Sequence, residues 1–68
     1  MMKVDSAKVQ ALMLKRGVGV LELAKLAKIP AKTISALHRR DAKVYISTLS
    51  RLAKALQVEP LSLVKAVA

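Results

Sequence analysis

The sequence predicts an all-α fold: a compact bundle of about five short helices forming one domain over residues 1–68. Three observations lead there. Leu, Ala, Val, Ile and Met recur at spacings of three and four, the period of one helix face. Gly, Pro and short polar clusters divide the chain into short segments without any linker or repeat. Finally, the apolar fraction is 54%, yet Tyr45 is the single aromatic residue, so the core must be aliphatic.

Each segment has its own start and stop chemistry. Asp5-Ser6 supplies N-cap groups for a first helix over about 6–16, with Val9, Leu12 and Met13 facing inward. Gly17-Val18-Gly19 ends it with a sharp reversal. A second helix, about 20–27, carries Glu22 in its first turn, where a carboxylate suits the positive end of the helix dipole. Its inward residues are Leu23, Ala24, Ala27 and Leu26. Lys28-Ile29-Pro30 breaks that run, and a third helix starts at Pro30 or Ala31 and runs to about Arg39 on Ile34 and Leu37. Asp41 to Tyr45 reads as a loop. A fourth helix, about 46–56, presents Leu49, Leu52, Ala53 and Leu56, and Glu59-Pro60 opens a fifth segment over about 60–67.

A chain of this size buries only roughly 60% of the surface its unfolded form exposes, so its core is thin. There is no cysteine, and one histidine with four scattered acids does not make a metal cage, so no metal or cofactor is expected. Helix packing and self-association are what remain to stabilise it. No apolar run approaches the ~20 residues of a membrane span, and Met1-Met2-Lys3-Val4-Asp5 lacks a signal-peptide stretch. A cytoplasmic location is expected. No nucleophile–base set, carboxylate pair or phosphate-cradling glycine loop is present, which argues against an enzyme. Thirteen Lys and Arg against four Asp and Glu give +9, a balance suited to a polyanion, nucleic acid before anionic membrane.

Segments two and three form the informative pair. Two short helices joined by a few residues fit a helix-turn-helix at about 20–39. Leu23, Ala24, Ala27, Ile29, Ile34 and Leu37 supply its small and apolar positions. A small residue at Ala24 lets the two backbones approach.

With these residues in place, the stretch Gly17–Leu56 resembles the Cro/repressor family, which has the lambda-repressor-like fold. The resemblance runs through Leu23-Ala24, Ile29, Thr33-Ile34-Ser35 and Leu37. It continues in step through Thr48-Leu49-Ser50-Arg51-Leu52-Ala53-Lys54-Ala55-Leu56 and Val58-Glu59-Pro60-Leu61. It implies sequence-specific binding of double-stranded DNA by a small transcriptional regulator, a repressor of phage, plasmid or bacterial type, with the third helix in the major groove. On that basis Ala31, Lys32, Ser35 and Ala36 are the expected base-reading residues: lysine donates to guanine, and alanine methyls meet thymine. Lys28, Thr33, Arg39, Arg40 and Lys43 are the expected phosphate contacts.

The departures from the family pattern are specific. Lys28, Arg40 and Gln57 stand where the family usually has glycine. If each needs positive φ, each costs on the order of 1 kcal/mol. Val20 replaces a polar phosphate contact, leaving the helix amides for that task. Met13 and His38 replace an Arg–Glu pair together, so no charge is stranded, and His38 reads as a packing residue.

One recognition helix covers few base pairs, so a two-fold homodimer is expected. The chain ends at Ala68 directly after the fifth segment, which puts the dimer contacts on Leu61, Leu63, Val64 and Val67. The alternative is a protein-binding module of the same fold, an antirepressor or antitoxin gripping a protein partner. Leu14, Val20, Val44 and Val67 are the apolar outliers such a module would use.

Overall fold

The computed structural model describes residues 1–65. Along the chain run β1 (Met2–Val4), α1 (Ser6–Arg16), α2 (Val20–Ala27), α3 (Ala31–Arg39), β2 (Ala42–Val44) and α4 (Ile46–Leu56), then a 3-10 turn, Pro60–Leu63. The fold is thus mostly helical, with four α-helices where about five were expected.

Helix starts and stops follow local chemistry. Asp5 is the N-cap of α1, and its Oδ1 accepts from the Ala7 and Lys8 amides at 3.1 and 3.4 Å. Gly17 ends that helix at φ 66, in the left-handed region where a side chain would be strained. Lys28 and Gln57 also adopt left-handed conformations, φ 57 and 59, closing α2 and α4. Each carries a side chain where glycine would be unstrained, at roughly 1 kcal/mol apiece. Arg40 is different. At φ −155 and ψ 159 it is extended and passes directly towards β2, so the expectation of a strained cap there is corrected.

The core is aliphatic and continuous. Val9 and Met13 of α1, Leu23 of α2, Ile34 and Leu37 of α3, and Leu49, Leu52 and Leu56 of α4 are all buried. No polar or charged residue is buried among the described ones. Leu26 is a correction: at 58% exposed it points away from this core. Met13 is buried and the half-buried His38 lines the same shallow hollow, while the His38 carbonyl accepts from Gln10 Nε2 at 2.6 Å. Arg16 Nε donates to the Leu56 carbonyl at 3.1 Å, placing a cation at the negative end of α4.

The strands are the main departure from the all-α expectation. Ala42–Val44 was expected as loop, and β1 was not anticipated. The two pair antiparallel in the register Met2↔Val44, Lys3↔Lys43, Val4↔Ala42. Val4 and Val44 turn into the core, so Val44 is not an exposed outlier. The same pairing explains why the fifth segment, expected over about 60–67, does not run on as a helix past Leu63. After the 3-10 turn, Val64 is extended and bridges Val4. Asp5 N donates to Leu63 O and Lys65 N to Lys3 O, each at 2.8 Å. Backbone groups that would close a helix are taken up by β1, which is thus paired with β2 on one side and bridged by Val64 on the other.

Candidate nucleic-acid interface

The turn between α2 and α3 is built by three residues with distinct tasks. Lys28, left-handed, lets the chain leave α2, and the Lys28 and Ile29 amides both return to the Ala24 carbonyl. Ile29 is buried and anchors the turn. Pro30 precedes α3, and its carbonyl accepts from Thr33 and Ile34 at 2.9 and 3.2 Å. Ala24 is itself buried between the helices, so a larger residue there would force them apart.

Ile34 and Leu37 fix α3 by one face. At 100° per residue the opposite face is centred on Lys32 and Arg39, both exposed, with half-buried Ser35 and Ala36 beside them. Ala31 and Thr33, also half-buried, form its margins. Lys28 lies in the turn before this helix, and Arg40 and Lys43 come after it; all three are exposed. Among the described residues the one ion pair is Lys65–Asp41, so none of these five cations is neutralised by an internal acid.

The N-termini of α2, α3 and α4 are bare of side-chain caps. Gly19, Pro30 and Tyr45 precede α2, α3 and α4, and none offers a side-chain hydrogen bond to the first turn. Free amides with the positive end of a helix dipole are suited to a phosphate. Val20 packs against the core, leaving the α2 amides without a polar side chain beside them. Two residues absent from the expected contacts stand at one of these uncapped starts: Tyr45 and Ile46, each 68% exposed at the start of α4. The lone aromatic with a hydroxyl, just beyond a basic stretch, was the signal that could have found them.

Asp41 holds the connection between α3 and β2. Its Oδ1 accepts from the Ser6 amide at 2.9 Å, and its Oδ2 lies 3.3 Å from Lys65 Nζ. The Ser6 amide foremost, then Lys65, holds its carboxyl below the ordinary carboxylate value.

The residues expected to form a dimer contact do not come together. Leu63 is fully buried within the protomer, because the 3-10 turn tucks it against α4, and this corrects its place at an interface. Val64 is half-buried in its bridge to Val4. Leu61 is 79% exposed, and Val67 lies outside the described residues. Among the described residues no helix is long and apolar enough to cross a membrane.

Comparison with solved structures finds the same fold in several settings. A hydroxyethylphosphonate dioxygenase mutant superposes with a TM-score of 0.85 at 27% identity, over 98% of this chain and 14% of that one. This chain therefore spans only a small part of that enzyme's length. The restriction-modification controller protein C.AhdI from Aeromonas hydrophila matches with a TM-score of 0.75 at 23% identity, over 82% of this chain and 85% of that one. A hypothetical transcription factor, NHTF from Neisseria, matches at 0.64 and 21% identity, over 87% and 75%. A search of curated protein sequences finds no match. The profile of one family, the Cro/C1-type helix-turn-helix DNA-binding domain, matches residues 8–68, a span that starts within α1 and includes α2, α3 and α4, and the chain belongs to that family.

Proposed function

We propose that this domain binds double-stranded DNA as a small transcriptional regulator of repressor type, acting in the cytoplasm with α3 in the major groove and without catalysis. The observation that carries this reading is the outer face of α3: an exposed, uncompensated basic surface on a helix whose N-terminus no side chain caps. Lys32 and Ser35 would donate to base edges, and Ala31 and Ala36 would meet thymine methyls. Lys28, Thr33, Arg39, Arg40 and Lys43, joined by Tyr45, would hold phosphates.

A single such helix reads few base pairs, so the working form is a two-fold dimer with recognition helices about 34 Å apart. With Leu63 committed to the core, Leu61 is the exposed one of the expected contacts among the described residues. It sits beside a shallow groove lined by Lys8, Ala11, Leu12, Val58 and Ser62. A mobility-shift titration across salt concentrations, on random and genomic duplexes, tests the reading. Five or fewer neutralised phosphates predict a log–log slope of roughly −3 to −4.5 per protomer. Binding indifferent to salt would sink it.

A protein-binding role, as antirepressor or antitoxin, is the second reading. It is favoured by Leu14 and Leu21, 84% and 71% exposed, which no DNA contact uses.

A further inference from the structure

The solvent face of the small sheet carries a row of lysines. The β1–β2 register sets Lys3 directly opposite Lys43. On the other side of β1, the Val4↔Val64 bridge and the Lys65 N to Lys3 O bond of 2.8 Å set Lys65 beside Lys3. Val4 and Val44 turn inward, and all three lysines are exposed. At about 4.8 Å between strands, the row spans roughly 10 Å.

We propose that this row, Lys43–Lys3–Lys65, is a second phosphate-binding surface, which takes the backbone of duplex DNA flanking the site read by α3. The proposal rests on the DNA-binding reading above and extends it to residues outside the helix-turn-helix.

Like charges directly opposite on one sheet face are destabilising, so a folded domain gains nothing internal from the arrangement. Asp41 compensates Lys65 alone, and among the described residues no carboxylate pairs with Lys3 or Lys43. Lysine on an edge strand can serve to block edge-to-edge pairing. That explanation reaches Lys43, but it fails for Lys3, which pairs with β2 on one side and whose carbonyl is already taken by the Lys65 amide on the other. A polyanion accounts for all three. Duplex DNA presents one charge per ~1.7 Å of its axis, so a row of roughly 10 Å meets several phosphates. The row is also continuous with the main site: Arg39 and Arg40, both exposed, lead from α3 into β2 and Lys43. Lys3 lies before residue 8, where the family match begins, so the row reaches beyond the part of the chain that the family profile covers.

The test uses the whole chain with K3Q and with K3Q/K65Q. Affinity is measured by mobility shift against salt on a long duplex and on one trimmed to the recognised core, and melting is followed by circular dichroism. Each lost contact should lower the salt slope by ~0.9 and weaken binding on the order of 5–10-fold at ~0.1 M salt. The loss should vanish on the trimmed duplex, and the melting temperature of K3Q should hold or rise as the like-charge opposition is removed, whereas K3Q/K65Q also gives up the Lys65–Asp41 pair. Variants that match the wild type in slope and affinity on the long duplex overturn the proposal and leave the DNA-binding reading standing. A wild type that binds no duplex removes both. Variants that lose binding to phosphatidylserine vesicles while keeping DNA affinity assign the row to a membrane and likewise overturn it.

Discussion

The start of α1 and the starts of α2, α3 and α4 face the same physical problem and meet it differently. Every α-helix begins with amides that have no partner within the helix. At α1 two carboxylates meet them: Asp5 takes the Ala7 and Lys8 amides, and Asp41 takes that of Ser6. At the other three helices Gly19, Pro30 and Tyr45 offer nothing. At α1 the caps are internal and need no outside partner. They are forgone at three ends where an outside anion can do the capping. An acidic cap at those ends would compete with phosphate, so the bare termini read as a consequence of function rather than as poor design.

That contrast can be broken in several places. The largest expected effect is on the reading face itself: Lys32→Ala should lose about 1–3 kcal/mol of DNA affinity and relax one position of the site. A uniform loss on all sequences, seen in a binding-site selection, would move Lys32 to the phosphate group instead. Next, Gly19→Asp would give α2 the cap it lacks. Gly19 is extended and open space surrounds a Cβ there, so the side chain fits. Thermal stability should rise by a few tenths of a kcal/mol while DNA affinity falls roughly tenfold, about 1.4 kcal/mol. Unchanged affinity would show that this helix end does not meet phosphate.

The converse change, Asp5→Ala, should cost ~1 kcal/mol of stability. It should leave DNA affinity as it was once the folded fraction is equalised. A smaller pair separates strain from binding. Gln57→Gly and Lys28→Gly should each recover up to about 1 kcal/mol by relieving left-handed backbone, readable in denaturant midpoints. Only Lys28→Gly should also reduce the salt slope, by ~0.9.

The smallest effect concerns acid. Asp41 has a lowered folded-state pKa, so its contribution is complete above the ordinary carboxylate range and is lost as pH falls through that lower value. The stability profile should therefore decline below about pH 4. Asp41→Asn, which keeps an acceptor for Ser6 but no titrating charge, should flatten that decline.

Much of this was legible in the sequence, and apart from Leu26 the failures share one cause. The four helices, the Asp5 cap and the inward face of α3 follow from spacing and capping residues, which are local. Left-handed Lys28 and Gln57 were visible because they occupy positions where related sequences place glycine. Arg40 occupies such a position too, yet it is extended, because the chain runs from it into the strand β2 rather than into a turn. Met2-Lys3-Val4 and Ala42-Lys43-Val44 alternate in and out, but three residues are too few to declare a period. Each is a strand because of a partner some forty residues away in sequence. The fifth segment failed for the same reason: helical spacing turned Leu63 outward, and hydrogen bonds from β1 overrode it. Of the candidate site, the α3 face could be read from periodicity, whereas Tyr45 reads as the end of a loop and gains its place only once it is seen exposed at an uncapped helix start.

The two-sided pairing of β1 also sets an order on how the molecule assembles. The helix-turn-helix joins neighbouring segments, and α2 meets α3 across a turn of three residues, Lys28–Pro30. The sheet is the opposite: Val4 pairs with Ala42 on one edge and with Val64 on the other, closing nearly the whole described chain into one loop. Non-local pairing incurs its chain-closure entropy before any contact rewards it, so it forms late. A nascent chain could therefore complete the recognition unit on its own, while the strand that seals the domain waits until residue 65 has emerged.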